Sequence, residues 1–84
     1  MSIPEFIFLI KRFIDNGDLE SALDTMGEMF NTINKPDSER KYRILRFQYS
    51  CLNKQVFILT HERFELRSTQ IAYGLLRICD QIDS

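Results

Sequence analysis

The sequence holds very little from which an active site or a metal centre could be assembled. Its 84 residues include one histidine, His61, and two cysteines, Cys51 and Cys79, set 28 positions apart. Nucleophilic catalysis needs a serine or cysteine beside a base that a third group orients. His61 stands in the first turn of a helix beside Glu62 and Arg63, where a solvated surface imidazole is expected. One imidazole and two distant thiols give no CxxC or HxxxH spacing, so neither a metal nor a cofactor is expected. Asp15, Asp18, Glu20, Asp24 and Glu28 lie along a helix and not in a glycine-hinged loop, which reads as a charged helix face and excludes a calcium loop. No glycine-rich loop joins a strand to a helix, which excludes the phosphate-cradling motifs. The chain is not expected to be an enzyme.

Long apolar runs are missing too. The stretch Phe6 to Ile10 is cut short by Lys11 and Arg12, whereas a membrane span needs about 20 apolar residues. Met1 to Glu5 carries no basic region of the kind that opens a secretory signal. Without an export signal, Cys51 and Cys79 are expected to be buried, reduced thiols of a cytoplasmic protein. No stretch alternates with period two, so strands are not needed. Neither sign of charge dominates: 11 basic and 12 acidic residues leave a net charge of −1. Bulk attraction to nucleic acid or to an anionic membrane is therefore not expected.

What is present is the composition of a folded domain, with 44% hydrophobic and 27% charged residues. The length suits one domain over residues 1–84 with one thin core. Four helices account for the apolar spacing. Ser2 is placed as the N-cap of the first, with Pro4 in its first turn and Phe6, Ile7, Ile10, Phe13 and Ile14 on one stripe. Asn16-Gly17 stops it, since glycine adopts the left-handed conformation at little cost. Asp18 caps the second, which carries Leu19, Ala22, Leu23, Met26, Met29, Phe30 and Ile33 inward. Asn34 to Asp37 ends it, and Asp37 or Ser38 caps the third.

The third helix, about Glu39 to Phe57, repeats Tyr42, Leu45, Tyr49, Leu52, Val56 and Leu59 at alternating steps of three and four. Thr60 is placed as the cap of the fourth, where Phe64, Ile71, Leu75, Ile78 and Ile82 face inward and Ser68 fills the gap. Gly74 within this helix costs about 1 kcal/mol relative to alanine, and such a glycine often permits close packing. Short connections favour antiparallel neighbours. The fold class is therefore all-α, a compact antiparallel four-helix bundle of two αα-hairpins.

Charge is segregated along the chain. Every charged residue between Arg12 and Lys35 is acidic, whereas Arg40, Lys41, Arg43, Arg46 and Lys54 make the third helix basic. Asp18, Glu20, Asp24 and Glu28 form the candidate acidic face, and Arg40, Arg43, Arg46 and Lys54 the basic one. Two readings stay open. The charged helices neighbour each other within one molecule, or the acidic surface of one copy meets the basic surface of the next. A third reading, a small nucleic-acid-binding regulator, uses the basic third helix with Tyr42, Phe47 and Tyr49 interleaved; Tyr42 and Tyr49 fall on the core seam, which counts against it.

Apolar residues also exceed what one bundle seam needs. Ile44, Phe47, Cys51 and Ile58 make a stripe beside the main seam of the third helix, and Leu66 and Tyr73 lie opposite the inward face of the fourth. Either the bundle wraps more of these helices than the seam implies, or Ile44, Phe47, Leu66 and Tyr73 form an exposed interaction patch.

The motifs also resemble a family. Leu59-Thr60-His61-Glu62-Arg63-Phe64 followed by Ile71 to Ile82 resembles the C-terminal half of the effector-associated domains of the eleventh type. Those end in a pattern near I-x-Y-A-L-L-E-L-I-D-E-L, matched here by Ile71, Tyr73, Leu75, Leu76, Asp80 and Ile82. Leu9-Ile10 through Asn16-Gly17-Asp18-Leu19 to Ala22-Leu23 is similar to the family's opening, and Ile44-Leu45 through Tyr49 and Leu52 to its middle. Gly74 stands where alanine is usual, and Arg77 and Gln81 where acidic residues are usual.

The resemblance spans about Phe6 to Ile82 and implies a non-catalytic adaptor of bacterial conflict signalling. It implies homotypic pairing with a like domain on a sensor or an effector such as a protease, nuclease or NTPase. It therefore implies a homo-oligomer whose partners are proteins; that neither nucleic acid nor membrane is a partner is expected from the near-zero net charge and the short apolar runs.

Overall fold

The computed structural model describes residues 1–54 and 61–83, and the description of His61 is confined to its backbone. Within these residues the chain forms four helices: α1 (Ile3–Asp15), α2 (Leu19–Thr32), α3 (Pro36–Lys54) and α4 (His61–Asp83). Val56, Phe57, Ile58, Leu59, Thr60 and the side chain of His61, all assigned places above, lie outside the described part.

Local chemistry sets the helix ends. Ser2 Oγ accepts the Glu5 N–H at 3.3 Å, and the hydroxyl donates to Glu5 Oε1 at 3.1 Å. This satisfies one of the free amides of the first turn. At the other end Gly17 has φ +76°. The Gly17 N–H donates to Ile14 O at 3.0 Å and the Asp18 N–H to Phe13 O at 2.8 Å, the paired bonds of a Schellman turn. Asp18 at once begins the next helix, its Oδ1 accepting the Ser21 N–H at 3.1 Å. Three residues therefore reverse the chain and hold α1 antiparallel to α2.

One boundary differs from the sequence expectation. α3 begins at Pro36 and not near Glu39. The Lys35 carbonyl accepts the Glu39 N–H at 2.9 Å, so Asp37 and Ser38, assigned as caps, lie inside the first turn. Proline suits the first helical position because its missing N–H would have no partner there, and its φ is already helical.

α1 packs most extensively on α2, and α3 on α4. Around the bundle α2 touches α3 and α4 touches α1, and the α2–α4 diagonal is in contact. The radius of gyration, 12.7 Å, is near the ~12 Å of a compact chain of this length. The core holds Phe6, Ile7 and Ile10 of α1, then Ala22, Leu23, Met26, Met29 and Phe30 of α2. Tyr42 and Leu52 of α3 join Ile71, Leu75, Ile78 and Cys79 of α4 to complete it. Phe13, Ile14, Leu19, Ile33, Leu45, Tyr49, Phe64 and Ile82 pack around it half-buried.

Two glycines leave room for side chains of α3. A Cβ at Gly74 would stand 2.8 and 2.9 Å from the two Leu45 methyl carbons, and one at Gly27 would stand 2.6 Å from Tyr42 Oη. Glycine lets α3 lie against α4 at the first point and against α2 at the second.

Candidate protein-interaction surface

Four exposed apolar side chains lie on the α3–α4 hairpin. Ile44, Phe47, Leu66 and Tyr73 are 53%, 70%, 60% and 64% exposed. The bundle does not wrap them. Burying a large aliphatic or aromatic side chain is worth about 1.5–3 kcal/mol, so leaving four of them in water forgoes a large stabilisation.

Two shallow cavities score the seam between α3 and α4. One, of about 310 Å³, is lined by Lys41, Ile44, Leu45, Gly74, Arg77 and Ile78 among others. The other, of about 330 Å³, is lined by Phe47, Cys51, Leu52, Arg67, Gln70 and Ile71 among others. Every charged residue lining either cavity is a cation: Lys41, Arg67 and Arg77. The Lys41 ammonium donates to Gln81 Oε1 at 3.4 Å and bridges one end of the seam. Leu66 and Tyr73 share a stripe of α4 with Gln70 and Arg77 by their three- and four-residue spacing.

The charged faces are placed less simply. Arg46 of α3 donates through Nη1 to Tyr42 Oη at 2.7 Å and through Nη2 to Asp24 Oδ1 of α2 at 3.1 Å. Tyr42 first and then the Asp24 carboxylate push the Arg46 pKa above its ordinary value, so this guanidinium is charged at any working pH. Acidic α2 and basic α3 are thus neighbours within one molecule, at least through this pair. Both partners are more than half exposed, so the ion pair contributes no more than ~1 kcal/mol.

Arg43 turns along its own helix to Glu39 at 3.4 Å. Asp18 caps α2. Glu20, Glu28, Arg40 and Lys54 are exposed. The structure therefore brings together Asp24 and Arg46 and leaves the other assigned charges spread along their helices.

The cysteines also differ from expectation in part. Cys79 is buried and Cys51 is only half-buried, at the edge of the α3–α4 seam; both are free thiols. Burial pushes the Cys79 pKa up to about 11 from its ordinary 9.0, which keeps it protonated and unreactive at neutral pH. Among the described residues no three His, Cys, Asp or Glu side chains stand close enough to hold a metal. No helix among them is long and apolar enough to cross a membrane.

One exposed aromatic has no counterpart in the sequence reading. Phe8 on α1 is 63% exposed and lies with Pro4, Glu5 and Leu9 around a separate shallow depression. Its position was legible: residue 8 falls outside the stripe formed by Phe6, Ile7, Ile10 and Phe13.

Fold and surface together define a helical bundle with an exposed apolar seam lined by cations. Comparison with protein-family models, with curated proteins and with solved structures finds no match to this chain.

Proposed function

We propose that this chain is a non-catalytic adaptor domain of bacterial defence signalling. It pairs with copies of itself or with a like domain, and so couples a sensor to an effector such as a protease, nuclease or NTPase. The observation that carries the binding half is the exposure of Ile44 and Phe47 beside the cation-lined α3–α4 seam. Exposed apolar side chains gathered on one face mark interaction surfaces. The sensor and effector half rests on the motif resemblance of Leu59–Phe64 and Ile71–Ile82. A cytoplasmic location suits the two free thiols.

The nucleic-acid alternative is less well supported, because Tyr42 is buried and Tyr49 half-buried, leaving Phe47 alone among the three interleaved aromatics to stack on a base.

Light scattering over a concentration series at low and high salt tests the proposal. The mass of purified protein is expected to rise with concentration at low salt and to fall towards the monomer at high salt. A monomer at millimolar concentration and low salt would remove self-association.

A further inference from the structure

We infer that the outer face of α3, centred on Phe47, is the docking site for an acidic amphipathic helix of another chain. The inference rests on the pairing reading above and names the kind of face a partner domain must present. At about 100° per residue, Arg40, Arg43, Ile44 and Lys54 all fall within roughly 60° of Phe47 around the helix. Phe47 and Ile44 are its large exposed apolar side chains. Arg40 and Lys54, both exposed, stand seven positions to either side of Phe47, and among the described residues neither is paired with a carboxylate. Arg43 reaches Glu39 at 3.4 Å, yet its side chain stays 74% exposed, so that pairing is weak. The two carboxylates of α3, Asp37 and Glu39, lie roughly 80° to either side of Phe47, at the margins of the face.

An apolar centre with cations at both ends selects a partner whose apolar stripe is edged by carboxylates. A helix supplies both together, at steps of three and four. The cavity of about 330 Å³ lined by Phe47, Cys51, Leu52 and Ile71 among others gives the partner's apolar side chains a recess beside Phe47. No described face of a second copy has this character. Phe8 of α1 is followed one turn later by Lys11 and Arg12. Glu20, Asp24 and Glu28 share a stripe of α2 by their four-residue steps, and no large exposed apolar side chain stands among them. Leu66 and Tyr73 of α4 share their arc with Arg77 as well as with Glu62 and Asp80. A single-stranded nucleic acid fits less well, because stacking successive bases takes several exposed aromatics, and Phe47 is the one exposed aromatic among the described residues of α3.

Fluorescence anisotropy with two labelled synthetic helices of about 18 residues tests this. Both carry the same leucine stripe, one edged by glutamate and the other by lysine. The glutamate peptide is expected to bind at least about tenfold more tightly than the lysine peptide, and more weakly as salt rises. The double variant Arg40→Glu, Lys54→Glu is expected to lose that preference. Phe47→Ser is expected to bind the glutamate peptide at least about tenfold more weakly, with far-UV circular dichroism confirming that each variant folds. Equal binding of the two peptides, binding of neither, undiminished binding by the charge-reversed variant, or tighter binding of a thymidine oligonucleotide would overturn the inference. Self-association that Phe47→Ser abolishes would put a second copy on this face and overturn the inference too, while upholding the pairing reading. A chain that neither takes the glutamate peptide nor self-associates would remove both.

Discussion

The two hairpins of this small bundle make unequal use of their apolar residues. Among the described residues, α1 and α2, of 13 and 14 residues, supply eight of the fourteen buried apolar side chains, whereas α3 and α4, of 19 and 23 residues, supply six. The longer pair leaves Ile44, Phe47, Leu66 and Tyr73 exposed, against Phe8 and the terminal Met1 beside the shorter pair. Charge divides the same way, acidic on the first hairpin and basic on α3. The comparison teaches that one half of the chain is organised mainly to hold the core, and the other holds its share of the core while keeping an outer face for contact.

The largest expected effects test the core side of that contrast. Met26 and Leu75 are both fully buried, and Met26→Ala and Leu75→Ala are each expected to destabilise the fold by about 2–5 kcal/mol in urea unfolding. Leu66→Ala, on the outer face of the same helix as Leu75, is expected to stay within about 0.5 kcal/mol. Equal losses at Leu66 and Leu75 would erase the distinction between the two faces of α4.

A second, smaller effect separates the two thiols. The Cys79 pKa is raised in the fold to about 11 from 9.0, so the fold favours the protonated thiol. Its contribution is complete below pH 9 and is lost as pH rises through 11, a loss of about 3 kcal/mol at most from the two-unit shift. Denaturation midpoints from pH 8 to 11 should therefore fall more steeply for the wild type than for Cys79→Ala. At pH 8 an alkylating reagent is expected to modify half-buried Cys51 in the native protein and Cys79 only after unfolding. Equal native reactivity would show that α4 opens along its core face.

The smallest contrast concerns the two glycines. Gly27→Ala drives a methyl against the hydroxyl of buried Tyr42, whose ring lies tilted at 41° to Phe30 with centroids 5.5 Å apart and whose Oη accepts a bond from Arg46. Despite the ~1 kcal/mol helix preference for alanine, a net loss of about 1–2 kcal/mol is expected in thermal unfolding. The nearest atoms to a methyl in Gly74→Ala are all in the side chain of half-buried Leu45, a flexible end that can shift towards the seam. The variant is expected to lie within about 0.5 kcal/mol of the wild type. A large loss at Gly74 would mean that the α3–α4 seam is as rigid as the α2–α3 contact.

Much of this architecture was legible along the chain. Ser2, Asn16-Gly17 and Asp18 act through hydrogen bonds spanning three to five residues, so their roles follow from local sequence alone. The inward stripes follow from helical periodicity, whereas periodicity leaves open whether the bundle covers Ile44, Phe47, Leu66 and Tyr73, and only the packed structure shows them exposed. Pro36 was read as the end of a connection because proline commonly breaks helices; only the Lys35–Glu39 bond shows it starting one. The role of Gly27 is not legible along the chain, because it depends on Tyr42, 15 positions on, closing over it. Phe8 stands alone on the outer face of α1 and belongs to no second apolar stripe, so periodicity gives it no partner.

The sequence by itself determined four amphipathic helices, the N-caps of the first two, the sharp turn at Gly17 and which side chains seek the interior, because each depends on neighbours within a turn or two. Tertiary structure decided which helix lies beside which, and with that the pairing of Asp24 with Arg46 across 22 positions. It also decided that cations line the α3–α4 seam, Arg67 at one cavity and Lys41 and Arg77 at another. These outcomes depend on how ridges of side chains interlock between helices, and glycine at 27 and 74 allows approaches that periodicity along a single helix does not express.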